Sequence, residues 1–471
     1  MKVLHIVQNY HPAIGGAELL TQNISVGLIE RGHQITVLTS NAPSSEAYIN
    51  SKVKTFPPGI ETISGIVVKR LPIVQLPTFV RRIFDAIMLA FWQGRLPFND
   101  LIRILWAGPY IKGLRYEIMN SEADLVVATS FPFLHIYQAF SAARKRCSPF
   151  VVIPCTHPVD AWAFENPRHY RLLQECQAVI ANTSYERDYL ISRGVSGEKI
   201  HTVGLGIYPE HFNRAARGEF REKYSIGDEE RIVLFTGRKA EGKGIRLLLR
   251  AMKRVWEMHS GVKLVLAGSA TEFSRKVIGS EIAHFPEGMR RNIINIDDFE
   301  ESQKDSLYTD CDIFVLPSMV ESFGMVFLEA WICGKPVIGC RTGPVVSVIT
   351  EGQDGLLVRY GNVEELAATI MRLLKDADLR NKLGSKGREK VLERYTWDKI
   401  VSKMEAIYQT LIEEQLDGKR GQCFHRWQPR FHSAEVSLGE TCRVCVEPGA
   451  RPESRRVGAV VGAAKEGKLV N

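Results

Sequence analysis

Short apolar runs alternate with helical patterns along most of this chain, and the series begins afresh near residue 209. VLHIV, QITVLTS, DLVVATS, FVVIP, AVIAN and KIHTVG mark residues 1–208. RIVLFTG, VKLVLAGS, NIINID, DIFVLPS, KPVIG and GLLV follow, separated by helical stretches such as Ile245 to Met258 and Val363 to Lys375. Apolar strands alternating with helices build parallel sheets wrapped by helices. Two such series predict two doubly wound α/β domains, 1–208 and 209–395, with ligands beyond the carboxyl ends of the strands. Past about residue 415 the pattern stops, so 416–471 is expected to be a poorly ordered tail.

With 471 residues, 45% hydrophobic and 24% charged, the chain has enough for two or three domains, which excludes a fibrous or disordered protein. The net charge of +8 is spread rather than gathered into a block. A spread excess suits an anionic substrate or a membrane surface as well as nucleic acid and so decides little; no nucleic-acid partner is expected. MKVLHIVQNYHP reads as a first strand, not a signal peptide. The nine scattered cysteines fit a reducing compartment, and no apolar run reaches about 18 residues. The expected location is the cytoplasm, including the inner face of the membrane.

The densest chemistry lies in Pro317 to Gly339, PSMVESFGMVFLEAWICGKPVIG. A strand leads in, polar Glu321-Ser322-Phe323-Gly324 makes a loop, Met325 to Cys333 forms a helix, and Gly334 and Pro336 stop it. The free N–H groups and dipole of such a helix favour a phosphate over the loop. Glu321 and Glu329 stand seven residues apart. Eight steps along a helix climb about 12 Å, which suits the two ends of one ligand better than an acid and base across one glycosidic bond. Carboxylates accept hydrogen bonds from both hydroxyls of a diol. One glutamate is therefore read as a sugar holder and the other as a ribose holder, with a diphosphate between; capping or solvated glutamates are the plain alternative.

This stretch resembles the retaining glycosyltransferases of family 4, also called the glycosyltransferase group 1 domain. Their Glu-x7-Glu motif stands here as ESFGMVFLE within DIFVLPSMVESFGMVFLEAWICGKPVIG. The resemblance covers about residues 1–412. It implies a GT-B fold, two Rossmann-like domains facing across a cleft, the first for the acceptor and the second for the donor. It also implies that the last helix, about 396–412, crosses back to the first domain. Glu329 would bind the ribose of a nucleotide sugar, and Glu321 with the backbone of Phe323 and Gly324 would hold the sugar.

Other loops extend this pattern. Arg238 and Lys243 in FTGRKAEGKG match the family's Gly-Arg-x4-Lys-Gly, which implies that both hold the diphosphate; alone they would read as a solvated basic turn. Gly15-Gly16 after the first strand fits a tight turn, and the resemblance places Gly16 against the donor diphosphate. His157, at the end of the stretch FVVIPCTHP, is set against the donor sugar by the same resemblance. No metal and no cofactor beyond the donor are expected: Asp310-x-Asp312 spells a metal-binding pattern, but it runs straight into a strand. After KPVIG, Pro344 and Ser347 replace a glycine and a glutamate that many relatives keep.

Residues 73–113 mix Phe, Trp, Leu and Ile with Arg81, Arg82, Arg95, Arg103 and Lys112. They read either as a basic amphipathic membrane contact, through 79–113, or as a helical hairpin packed on the first domain. Cys423, His425, Cys442 and Cys445 in the tail lack the usual zinc spacing. The expected activity is a metal-independent, retaining transfer from a nucleoside diphosphate sugar to a glycan or lipid-linked acceptor, in cell-surface polysaccharide or glycolipid synthesis. The alternatives are a non-catalytic nucleotide-sugar binder or membrane scaffold, and another GT-B enzyme such as an epimerase or phosphorylase.

Overall fold

The computed structural model describes residues 1–420, apart from 14, 94–96, 157, 159, 213–217 and 298–302. The first sheet holds β1 (Lys2–Val7), β2 (Gln34–Ser40), β3 (Gly59–Ile63), β4 (Ile66–Leu71), β5 (Leu125–Thr129), β6 (Phe150–Ile153), β7 (Ala178–Ala181) and β8 (Ile200–Thr202). Its order is β3-β4-β2-β1-β5-β6-β7-β8, parallel throughout except for β3. The second holds β9 (Arg231–Thr236), β10 (Val262–Ala267), β11 (Ile293–Ile296), β12 (Ile313–Leu316), β13 (Val337–Cys340) and β14 (Gly355–Val358). Its order is β11-β10-β9-β12-β13-β14, wholly parallel. The two sheets are the doubly wound pair that the alternation predicts.

Each sheet reverses its winding once, between β1 and β5 in the first and between β9 and β12 in the second. At such a point the loops leave in opposite directions and open a crevice at the carboxyl edge. The central strands are buried on both faces, which is why they read as unbroken apolar runs. Helices start at polar caps. Thr183, Asn362 and Asp376 accept the N–H of Glu186, Glu365 and Leu379 at 3.1, 3.0 and 2.8 Å. Each such cap contributes about 1 kcal/mol.

The helix Met325–Ile332 is set in place by tight packing behind it. Trp331 is fully buried and donates from Nε1 to the Asp354 carbonyl at 2.7 Å. A Cβ on Gly387, in the helix Ala377–Arg394, would lie 1.9 Å from the Trp331 ring. A mid-helix glycine costs about 1 kcal/mol relative to alanine, and here the missing side chain is what seats the indole. Gly387→Val would displace Trp331 and with it the start of the helix.

The chain then returns to the first sheet. Thr396 bridges Ile207, with Ile207 N–H to the Tyr395 carbonyl at 2.9 Å and Trp397 N–H to the Ile207 carbonyl at 3.1 Å. The helix Trp397–Arg420 packs on the helix Gly16–Glu30: a Cβ on Gly27 would meet Val401 at 2.6 Å, and Arg31 bonds Asp398 at 2.5 Å and Ser402 at 2.9 Å. It runs past the end expected near residue 412, because EEQLDGKR continues a polar helical sequence. The remainder of the expected tail, 421–471 with Cys423, His425, Cys442 and Cys445, lies outside the described residues.

Two features differ from the sequence reading. The β3–β4 hairpin was absent from it; Ser64 and Gly65, with φ of 51° and 78°, make the two-residue turn that joins strands of right-handed twist. The second lies within 79–113, where the helical hairpin that was one of the two readings is observed but its basic residues do not all lie on the surface. Thr78–Gln93 and Asn99–Ala107 form a helical hairpin, but Arg81 and Arg103 turn inward, both 6% exposed. Arg81 pairs with Asp85 at 3.0 Å and lies over the Trp106 ring, while Arg103 donates to the carbonyls of Ala161 and Glu165 at 3.3 and 2.9 Å. These arginines fasten the hairpin to the first domain. Phe79, Ile83 and Ile87, one turn apart, stay exposed. Among the described residues no helix is long and apolar enough to cross a membrane.

Candidate active site

The loops after β9 and β12 flank the reversal in the second sheet, and both predicted residue groups sit on them. They are stitched to each other. Met319 N–H and Ser318 Oγ donate to the Gly242 carbonyl at 2.9 and 3.1 Å. Gly244 holds φ 75°, and a Cβ there would fall 1.9 Å from the Pro317 carbonyl oxygen. Only glycine allows this backbone contact.

The stitching brings Lys243 to Glu321. Lys243 closes the short turn Glu241–Lys243, and its Nζ meets Glu321 Oε2 at 2.7 Å. The Arg238 guanidinium points outward from the same loop, exposed, with no ion pair or hydrogen bond to another described residue. Lys239 does the opposite. It is fully buried, and its ammonium reaches Asn295 Oδ1 at 2.7 Å, the Ile296 carbonyl at 2.8 Å and Asp297 Oδ1 at 2.5 Å. A buried ammonium is tolerated only when so paired. Lys239 ties the loop to β11, a role that nothing in RKAEGKG distinguishes from that of its neighbour.

Gly324 precedes the helix Met325–Ile332 in the left-handed region, φ 85°, where a Cβ would strike the Phe327 ring at 2.5 Å. Phe323 is 1% exposed and packs edge-on against Tyr395, centroids 5.5 Å apart. Its side chain anchors the loop. Glu329 is buried, 5% exposed, inside a network the sequence did not reveal. Tyr308 donates to its Oε2 at 2.6 Å, Lys304 reaches its Oε1 at 2.5 Å, and Thr236 bonds the Tyr308 hydroxyl at 2.5 Å. Burial first, and the Glu329 charge second, push the Tyr308 hydroxyl well above the usual tyrosine range, so it is a donor here. Two of the roughly four carboxylate lone pairs are used, leaving two for a diol.

Gly16 opens the helix Gly16–Glu30 at the reversal point of the first sheet. It is exposed, and a Cβ there would meet nothing within 4 Å. Beside it the Glu18 carboxylate folds back over Gly15 and accepts from Gln8 Nε2 at 3.2 Å; burial raises its pKa. His157 lies outside the described residues. The Asp310-x-Asp312 pair sits at the amino edge of β12, away from the site. Asp310 accepts the N–H groups of Gly218 and Phe220 at 2.7 and 2.9 Å; Asp312 pairs with Arg221 and Arg231, each at 3.1 Å. Both are structural. Ser347 bonds the Pro344 carbonyl at 2.7 Å within its own turn.

Paired Rossmann-like sheets, with a basic loop and a Glu-x7-Glu helix at one reversal point, define the class of the GT-B glycosyltransferases. The family models agree: residues 14–211 match glycosyltransferase family 4, and residues 216–390 match the glycosyl transferases group 1 domain. The chain belongs to this glycosyltransferase family. An uncharacterized glycosyltransferase of Methanocaldococcus jannaschii is 25% identical over 88% of this chain and 99% of its own. The N-acetyl-alpha-D-glucosaminyl L-malate synthase of Bacillus anthracis is 23% identical over 87% of this chain and 97% of its own. The solved structure of Anabaena HepE, in complex with UDP and glucose, superposes with TM-score 0.64 at 19% identity, covering 87% of this chain and all of HepE.

Proposed function

We propose that this glycosyltransferase moves a sugar, with retention, from a nucleoside diphosphate sugar to a glycan or lipid-linked acceptor held by the first domain. Arg238, Lys243 and the amino end of the helix Met325–Ile332 hold the diphosphate. Glu329 takes the ribose diol, and Glu321 with the backbone of Phe323 and Gly324 takes the sugar hydroxyls. Gly16 approaches the diphosphate from the first domain, and His157 faces the sugar. The observation that carries this reading is the convergence of Lys243, Glu321 and the Glu329 network at one reversal point.

No side chain is placed as a nucleophile. In a same-face substitution, the bond from the sugar carbon to the leaving phosphate oxygen breaks as the acceptor oxygen bonds to that carbon. The acceptor proton passes to the departing phosphate. A helix end contributes about 0.3 to 1 kcal/mol to holding that charge, whereas preorganised donors contribute roughly 3 to 4 kcal/mol each. The two cations therefore dominate, and no metal is required for this role. The exposed stripe Phe79, Ile83 and Ile87 supports contact with a membrane carrying a lipid-linked acceptor, as in cell-surface polysaccharide or glycolipid synthesis.

The test is a panel of UDP-, GDP- and ADP-sugars in EDTA, following thermal stabilisation and nucleotide release, with product configuration read by NMR once an acceptor is found. One nucleotide class should stabilise the protein and be hydrolysed slowly. A folded protein that responds to none of them would favour a non-catalytic scaffold.

A further inference from the structure

The two charges assigned to different parts of the donor hold each other in this structure. Lys243 Nζ lies 2.7 Å from Glu321 Oε2, and the side chains are 27% and 13% exposed. While paired, each spends one of its contacts on the other, so the pair competes with the donor for Lys243 and for Glu321. The frame around the pair is fixed by the Gly242 carbonyl bonds and the Gly244–Pro317 contact, so the pair can open and close by side-chain rotation alone. The Glu329 network is different. Its cation, Lys304, comes from the helix Lys304–Asp310, not from the diphosphate loop.

An intact nucleotide sugar replaces both halves of the pair. Its diphosphate takes Lys243 and its sugar hydroxyls take Glu321. A nucleoside diphosphate replaces only one half, and it leaves the Glu321 carboxylate facing a second anion. We propose that Glu321 is also a positioning residue for Lys243, competing with the diphosphate so that departure of the sugar lets Glu321 recapture Lys243 and expel the product nucleotide. This inference rests on the donor-site reading above.

The test compares UDP with UDP-glucose, GDP with GDP-mannose and ADP with ADP-glucose by calorimetry, with nucleotide dissociation followed by stopped flow. Wild type, Glu321→Gln, Lys243→Ala and the double variant are each checked for an unchanged melting temperature. In Glu321→Gln the responding nucleoside diphosphate should bind about fivefold tighter and leave about fivefold more slowly, as expected for removing a partly exposed ion pair. The matching nucleotide sugar should bind more weakly. In the Lys243→Ala background the tightening should vanish. Unchanged or weaker diphosphate binding in Glu321→Gln would overturn the proposal, as would tightening that persists without Lys243, which would mark a general charge effect. If wild type binds none of the pairs, the donor-site reading itself falls, and this inference falls with it.

Discussion

The carboxyl edges of the two sheets are built differently. On the second, charged groups are already matched: Lys243 with Glu321, Lys304 and Tyr308 with Glu329, Lys239 with Asp297. On the first, Gln8 Oε1, Asn9 Oδ1 and Asn182 Oδ1 are buried with no hydrogen-bond partner among the described residues. Buried polar atoms cost free energy until they are satisfied. The second edge thus carries paired charges and the first carries buried polar oxygens without a partner among the described residues. That contrast fits a constant donor and a variable acceptor.

The largest effect expected on this contrast comes from Lys243→Ala. Loss of a preorganised cation at developing charge removes about 3 to 4 kcal/mol, so turnover should fall by 10²–10³. The melting temperature should hardly move, since Lys243 is partly exposed. Turnover near wild type would break the donor side of the comparison.

Next comes a pair of glycines. Gly244→Ala meets the Pro317 carbonyl and a positive φ, so it should lose about 2 kcal/mol or more of stability along with activity. Gly16→Ala has open space, so melting should be unchanged while the donor KM rises about tenfold, because a methyl group stands where the diphosphate approaches. Equal stability losses in both would show that Gly16 serves the fold.

Acid should separate the halves. His5, His135 and His169 are buried neutral in the first domain, with burial lowering their pKa to about 3, about 4 and about 4. The second domain has no fully buried histidine among its described residues. Between the ordinary value of 6.5 and about 4 the unfolded chain binds more protons, so stability rises with pH across that window and levels off above it. Calorimetric melting from pH 8 to 4 should show a transition for the first domain falling below about pH 6.5. A pH-independent transition there would contradict the buried neutral assignment.

The smallest effect is expected at the hairpin. Ile83→Ser should weaken sedimentation with lipid vesicles by a few fold and leave nucleotide-sugar hydrolysis unchanged, since Ile83 is exposed and lies on neither donor loop.

The strands of both sheets were legible because strands buried on both faces read as unbroken apolar runs. The β3–β4 hairpin was not, since Ile60 and Val67 of its half-exposed strands face solvent and leave no strong alternation. Glu321 and Glu329 were singled out by their spacing, and Arg238 and Lys243 by the family pattern Gly-Arg-x4-Lys-Gly, both of which survive in sequence. Lys239, Lys304 and Tyr308 were missed because their partners lie on other elements, tens of residues away. Sequence shows which groups a loop carries, whereas folding decides which of two adjacent cations, Arg238 or Lys239, stays exposed.

The most direct test of a preorganised donor edge is calorimetric titration, in EDTA, of the responding nucleotide sugar into wild type, Lys243→Ala and Glu329→Ala. Tight binding by wild type, weakened about 100-fold in Lys243→Ala and at least tenfold in Glu329→Ala with melting curves preserved, is the expected result. Equal affinity in all three proteins would place the donor elsewhere and contradict the account.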